Sequence, residues 1–368
     1  MRWVIAVVGA TALLGAAPAA LESAPAATSC RWRMVTTPRV PSYDPRVRPA
    51  AMNSVAAVSR TDVWAVGYWT IPIGIYAPTT LIWHWNGKRW AVEGGGLLHA
   101  QSSSLSAVAA ARGNAWAVGR YPGGSLTEHW NGRRWSATPN PGGKGSALVG
   151  VAIVSSSDVW AVGRRTRGPL LLHWNGSKWL NVPAPSEADS FLGVTRIRGA
   201  AGVWVYGLEV TSEGSLGVAA WRWMGSASEH FSLPTPAGGP FSLAGGSMTA
   251  PSASSAWVVM TGATSAPAPR NRTFAVHWDG SAWAQVSTPN AGSGDAYLSA
   301  VDAGGASDAW AVGTVRSSGR SRSLVLHWNG SAWSVVQAPL TGLSTVAVVP
   351  GSSDVWAFGG LKAVQYRC

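Results

Sequence analysis

Acid is scarce in this chain: 16 Asp and Glu stand against 28 Lys and Arg, a formal net charge of +12 in 368 residues. Charged residues of both signs make up only 12% of it and hydrophobic residues 46%, as in a turn-rich all-β protein whose strands are covered on both faces. The sequence contains no Gly-x-Ser-x-Gly elbow, no His-Glu-x-x-His and no phosphate-binding glycine loop, so the common frameworks for nucleophilic, zinc and nucleotide chemistry are missing. There are two cysteines, Cys30 and Cys368. An oxidase built on a copper centre needs an internal cysteine, and there is none. Beyond Ala17 no apolar run approaches the roughly 20 residues of a bilayer-spanning helix.

The first residues have the pattern of a secretory signal. Arg2 supplies the positive end, Trp3 to Ala17 are apolar, and small residues follow at Ala17-Pro18-Ala19 and Ala24-Pro25-Ala26. Residues 1–27 are expected to be removed, with cleavage between Ala20 and Thr28. Residues 30–368 are then a single exported, extracellular domain. Export permits a disulfide. The rival reading is a lipid on Cys30, although Ala27-Thr28-Ser29 is a poor attachment context and lies far from the apolar run.

What is abundant is Trp (23), Gly (44) and Pro (23), and the tryptophans are periodic. A Trp-Ala-Val-Gly-like strand recurs seven times, at Trp64, Trp116, Trp160, Trp204, Trp257, Trp310 and Trp356. A His-Trp-Asn-Gly turn follows most copies, such as His84-Trp85-Asn86-Gly87, and then another Trp, such as Trp90. A period of roughly 40–50 residues with about four short strands per repeat predicts a β-propeller, here of seven four-stranded antiparallel blades. Small residues such as Ser54-Val55-Ala56-Ala57-Val58 and Ser299 to Ala303 read as inner strands crowded around the axis. Asn329-Gly330 reads as a hairpin in which both residues favour φ > 0. The remaining tryptophans, beside the turn and opening the outer strand, are expected to fill the wedges between blades. Copy four is irregular, with Met224 for the turn Asn and Ser228 for the outer Trp.

Copy seven stops at Gln365-Tyr366-Arg367-Cys368, and its missing outer strand matches Cys30-Arg31-Trp32-Arg33-Met34-Val35. The N-terminal segment should therefore complete the last blade. A Cys30–Cys368 disulfide then replaces the tight turn and contributes roughly 4–6 kcal/mol on the chain-entropy estimate, as an upper bound.

Candidate chemistry is thin. His84, His129, His173, His277 and His327 share one repeat position, and Asp62, Asp158, Asp308 and Asp354, with Asn114, share another. Repetition around a ring argues for structure: a hydrogen bond to a neighbouring strand for the histidines, and bonds to their own turn backbone for the acids. No metal and no cofactor is expected. Charge is the suggestive feature. Loops between second and third strands carry Arg120, Arg164, Arg165, Arg167, Arg270, Arg272, Arg316, Arg320 and Arg322. They should crown one face as a basic rim that attracts anionic polymers; the plainer reading is arginine in solvated loops. The matching loop of blade one, residues 69–76, is apolar, and that of blade four carries Glu209 and Glu213.

The layout Asp-Val-Trp-Ala-Val-Gly followed by Leu-x-x-His-Trp-Asn-Gly-x-x-Trp resembles bacterial seven-bladed propeller lectins, and Val355-Trp356-Ala357-Phe358-Gly359-Gly360 resembles a Kelch-type blade. The matching residues are those that build blades, so the resemblance implies the fold and carbohydrate binding, with no site carried over. The function expected is a secreted, non-enzymatic, monomeric binding module for an extracellular glycan or anionic cell-surface polymer. Nucleic acid is disfavoured by export. The alternatives are a polysaccharide hydrolase or lyase working at the channel mouth, marked by acids, His99 or Tyr there, and a protein scaffold using the apolar blade-one loop.

Overall fold

Seven antiparallel sheets of four strands make up the computed structural model, which describes residues 30–40, 50–73, 75–94, 102–225, 227–235, 243–264, 270–289, 292 and 294–368. The signal segment, its cleavage region and His99 lie outside the described residues. Blade one runs Ala50–Ser59, Asp62–Ile73, Ile75–Trp85 and Trp90–Glu93 from the axis outward, and blade six Asp295–Gly305, Asp308–Ser317, Arg320–Trp328 and Trp333–Val335. Inner strands of successive blades touch in order, and the seventh, Thr345–Val348, meets the first. The chain is therefore the all-β, seven-bladed propeller that its repeats predict.

The recurring glycine of the second strand has a steric cause. The inner strand bulges at Met52/Ser54, Leu105/Ala107, Leu148/Gly150, Phe191/Gly193 and Leu298/Ala300. Each bulge brings a carbonyl oxygen over the neighbouring strand. A Cβ on Gly67 would stand 1.9 Å from the oxygen of Ala51, and one on Gly313 the same distance from that of Tyr297. Only glycine admits that approach.

The Asn-Gly turns differ from the expectation in one respect. Gly87 (φ 90°) and Gly330 (φ 96°) take left-handed conformations, but Asn86 and Asn329 do not. The asparagine works through its side chain instead. Asn86 Oδ1 accepts from the backbone N–H of Lys88 (3.0 Å) and Arg89 (3.1 Å), and Asn329 Oδ1 accepts from Ser331 and Ala332 at 3.0 Å each.

The tryptophans fill the wedges. Trp64 of blade one meets Trp130 (5.0 Å between ring centroids) and Trp135 (5.3 Å) of blade two. Trp116 meets Trp174 and Trp179, Trp204 meets Trp278 and Trp283, and Trp257 meets Trp328 and Trp333. The sequence closes on itself where Trp356 of blade seven meets Trp85 and Trp90 of blade one. Burying one such ring is worth on the order of 4–6 kcal/mol of transfer free energy. The wedge between blades three and four is thinner: Trp160 faces Trp223 at 6.1 Å, and Ser228 stands where the outer Trp would be.

Arg31–Val35 pairs antiparallel with Lys362–Arg367 as the outer strand of blade seven, setting Trp32 opposite Tyr366 and against Trp310 of blade six. The disulfide Cys30–Cys368 sits one residue beyond the Arg31–Arg367 pair. It joins the two strands where the other blades have their turn.

Candidate functional site

In this ring all hairpins between second and third strands open on one face, and every arginine expected on the rim lies at such a hairpin. Arg120 is near the end of Asn114–Tyr121. Arg164 ends Asp158–Arg164, and Arg165 and Arg167 fill the turn that follows. Arg270 and Arg272 open Arg270–Trp278; Arg316 lies near the end of Asp308–Ser317, and Arg320 and Arg322 open Arg320–Trp328. They form two arcs, on blades two and three and on blades five and six.

The nine are not equivalent. Arg120, Arg164, Arg167 and Arg320 are exposed, and their side chains form no hydrogen bond or ion pair among the described residues. Arg165 donates to Asn181 Oδ1. Arg272 is half-buried and donates from Nη1 to the carbonyl of Gly294 at 2.9 Å. Arg316 lies over the ring of Tyr297, 5.1 Å from its centroid. Lys362 of blade seven belongs to the same face, exposed on the short hairpin after Gly359 and Gly360. It went unread because it follows the double glycine with no arginine beside it, although its slot after the second strand was the available signal.

Between the arcs, blade four is less acidic than expected. Glu213 is exposed, but Glu209 is buried and holds His230 Nε2 at 2.7 Å. Glu187 Oε1 accepts from Trp221 Nε1 at 3.0 Å. Burial works to raise the Glu187 pKa, yet this bond, a backbone bond and the nearby His230 outweigh it and hold the carboxyl below its usual value. In blade one, the side chains of residues 71–76 lie outside the described residues, so the apolar-patch expectation falls there.

The repeated histidines and acids bond one another. His84 Nε2 donates to Asp62, His173 to Asp158 and His327 to Asp308, each at 2.9 Å. Asn114 serves His129, and Ser255 serves His277, at the same distance. The histidine ring also stacks on the second-strand tryptophan, as His84 does on Trp64 at 4.1 Å. Asp62, Asp158 and Asp308 thus serve the adjacent strand rather than their own turn, because the strand register sets each histidine opposite the tryptophan two residues on; in blade seven Gln365 takes the histidine's place and Asp354 is paired by Arg60 instead. Burial lowers the pKa of His129; it lowers that of His277 as well, partly opposed by Asp279. No three His, Cys, Asp or Glu gather as a metal site among the described residues.

The central channel is a cavity of about 610 Å³ walled by the inner strands. Its lining departs from the expectation of small residues alone. Asp302 is its one carboxylate among the described residues, joined by Arg112, Arg196 and Arg198. Tyr206 is buried in the wall and donates to the carbonyl of Gly246 at 2.6 Å; burial pushes its phenol pKa up. The paired acids of a glycosidase are not assembled there among the described residues.

No family model and no curated protein matches the chain. Solved structures do match in fold. YCF48 from Cyanidioschyzon merolae aligns with a TM-score of 0.53 at 12% identity, over 91% of this chain and 98% of that one. SapL1 lectin, solved with α-methyl fucoside, gives 0.49 at 17% identity over 83% and 97%. A polysaccharide lyase, an ulvan lyase with a bound glucuronate–sulfated rhamnose unit, gives 0.48 at 11% identity over 86% and 94%. At 12% identity the likeness to YCF48 speaks to the fold alone.

Proposed function

We propose that the protein is an exported, monomeric binding module for an acidic glycan or another anionic cell-surface polymer, which lies across the two arginine arcs of the rim. The observation that carries this reading is the set of exposed guanidinium groups, Arg120, Arg164, Arg167 and Arg320, on one face of a ring with net charge +12 and without ion partners among the described residues. Guanidinium groups on several blades match the repeat of a charged polymer better than a single small anion, and their forks suit carboxylate, sulfate and phosphate. The Cys30–Cys368 disulfide is of the kind kept in oxidising compartments, in line with the secretory pattern of residues 1–27.

The test is a glycan array read at low and physiological salt, with Arg164, Arg165 and Arg167 replaced by Ser in a second sample. Binding to anionic glycans that weakens with salt, and that the triple variant reduces and makes less salt-dependent, is expected. Unchanged binding by the variant retires the rim. Salt-resistant binding to a neutral sugar moves the site to the grooves between blades, and a blank array favours the enzyme or the protein scaffold.

A further inference from the structure

On the face opposite the rim, where the inner strands end, the channel holds charges that neither the blades nor the rim require. Asp302 of blade six is fully engaged. Its Oδ1 accepts from Thr249 Oγ1 (3.0 Å), from the backbone N–H of Ala303 (2.8 Å) and from Arg198 Nη2 (3.1 Å), and its Oδ2 accepts from the N–H of Val348 (2.9 Å). Arg198 also donates from Nη1 to the carbonyl of Ala303, and its own N–H donates to Ala250 at 3.1 Å. One carboxylate and one guanidinium thus clasp blades four, five, six and seven across this end of the channel. The clasp is a neutral pair, and it fixes Arg198.

Two further arginines line the same cavity. Arg196 extends from the inner strand of blade four, Ala188–Arg196, and Arg112 lies in the turn after the inner strand of blade two, Ser104–Ala111. Both are exposed, and neither side chain has a hydrogen bond or an ion pair among the described residues. Arg196 also feels the like charge of Arg198; burial first, and that repulsion second, lower its pKa. Apart from these four charged groups the wall carries no charge among the described residues, being made mainly of alanine, valine, serine and threonine, and a cleft with an excess of one sign of charge concentrates ions of the other. With the Asp302 charge already matched by Arg198, the site keeps two positive charges without a counter-charge.

We propose that this end of the channel binds a ligand through one oxyanion group (a phosphate, sulfate or carboxylate) held by Arg196 with Arg112, with the Arg198–Asp302 clasp fixing the wall behind it. The site lies on the other face from the arginine arcs and takes a small group rather than a polymer, so it stands independently of the rim.

Isothermal titration of the disulfide-bonded mature protein with inorganic phosphate, inorganic sulfate and sodium glucuronate tests it. The three probes separate a tetrahedral oxyanion from a sugar carboxylate. One saturable site is expected for at least one probe, weakened about tenfold or more in Arg196→Gln, the loss of a hydrogen bond to a charged group, and unchanged in Lys178→Gln, an exposed lysine on the outer hairpin of blade three. Should Arg196→Gln fail to fold, Arg112→Gln carries the same expectation. The proposal is overturned by the absence of saturable binding for all three probes, or by binding that neither channel variant weakens.

Discussion

At the scale of residues, one position is built three ways. The histidine of the third strand packs against the second-strand tryptophan in five blades, stacked in blades one, two and six and tilted in three and five, but its polar partner is Asp in blades one, three and six, Asn114 in blade two and Ser255 in blade five. Burial of the ring holds the His129 pKa below its usual value of 6.5, and its partner is an amide rather than a carboxylate. Folding then favours the neutral imidazole. Its contribution to stability is complete above about pH 6.5 and is lost as pH falls through the lowered folded value. Asn114→Asp gives His129 the carboxylate that its counterparts have, and the opposite charge should raise its pKa. The measurement is an NMR titration of the His129 ring in both proteins; an unmoved or lower midpoint in the variant would show that Asn114 is not the partner that matters.

Elements show how far the sequence could be read. The four strands per blade, their order and the place of the repeated wedge tryptophans follow from the repeat, because a strand buried on both faces allows little but Val, Ala and Trp and the turn needs Asn and Gly; Trp83, buried against Phe358 of blade seven, lies outside the repeat positions. The histidine–acid pairs were not legible as pairs, since they depend on a cross-strand register that no spacing along one strand discloses. The channel arginines were missed for a related reason: they break the repeat. Asp302 and Arg196 stand out as charges within inner strands otherwise made of small residues, and that was the signal for the clasp. The wedges also make an energetic prediction. Trp257 is fully buried and meets Trp328 at 4.8 Å and Trp333 at 5.0 Å, whereas Trp160 meets Trp223 alone, at 6.1 Å, across the thin wedge. Trp257→Ala should cost about 3–5 kcal/mol, and Trp160→Ala distinctly less. Urea unfolding of the two variants decides it, and equal losses would mean that wedge tryptophans do not set the blade-to-blade contact energy.

The whole molecule depends on closing a ring with its own two ends. Three devices meet at that seam. Trp32 packs on Trp310 and Tyr366. Asp354, its side chain 1% exposed, is paired by Arg60 of blade one at 3.1 Å, with Arg367 of blade seven at 3.9 Å. The Cys30–Cys368 bond ties residues 338 apart. The first exists only while the N-terminal strand is in place and the second only while blade seven lies against blade one, so they reinforce a closed ring without preventing the opening. The covalent bond restricts the open chain itself, and it also keeps the edge of Lys362–Arg367 covered, which otherwise is a template for pairing with another molecule. Replacing both cysteines by serine should therefore leave the fold intact but lower its stability by up to about 4–6 kcal/mol and make the protein prone to self-association in mild denaturant. Urea midpoints with and without reductant check this: the parent should shift down on reduction and the double variant should not respond. A parent indifferent to reductant would mean that the packing of Trp32 and the buried Asp354 ion pair close the ring unaided, with the disulfide contributing nothing to its equilibrium stability.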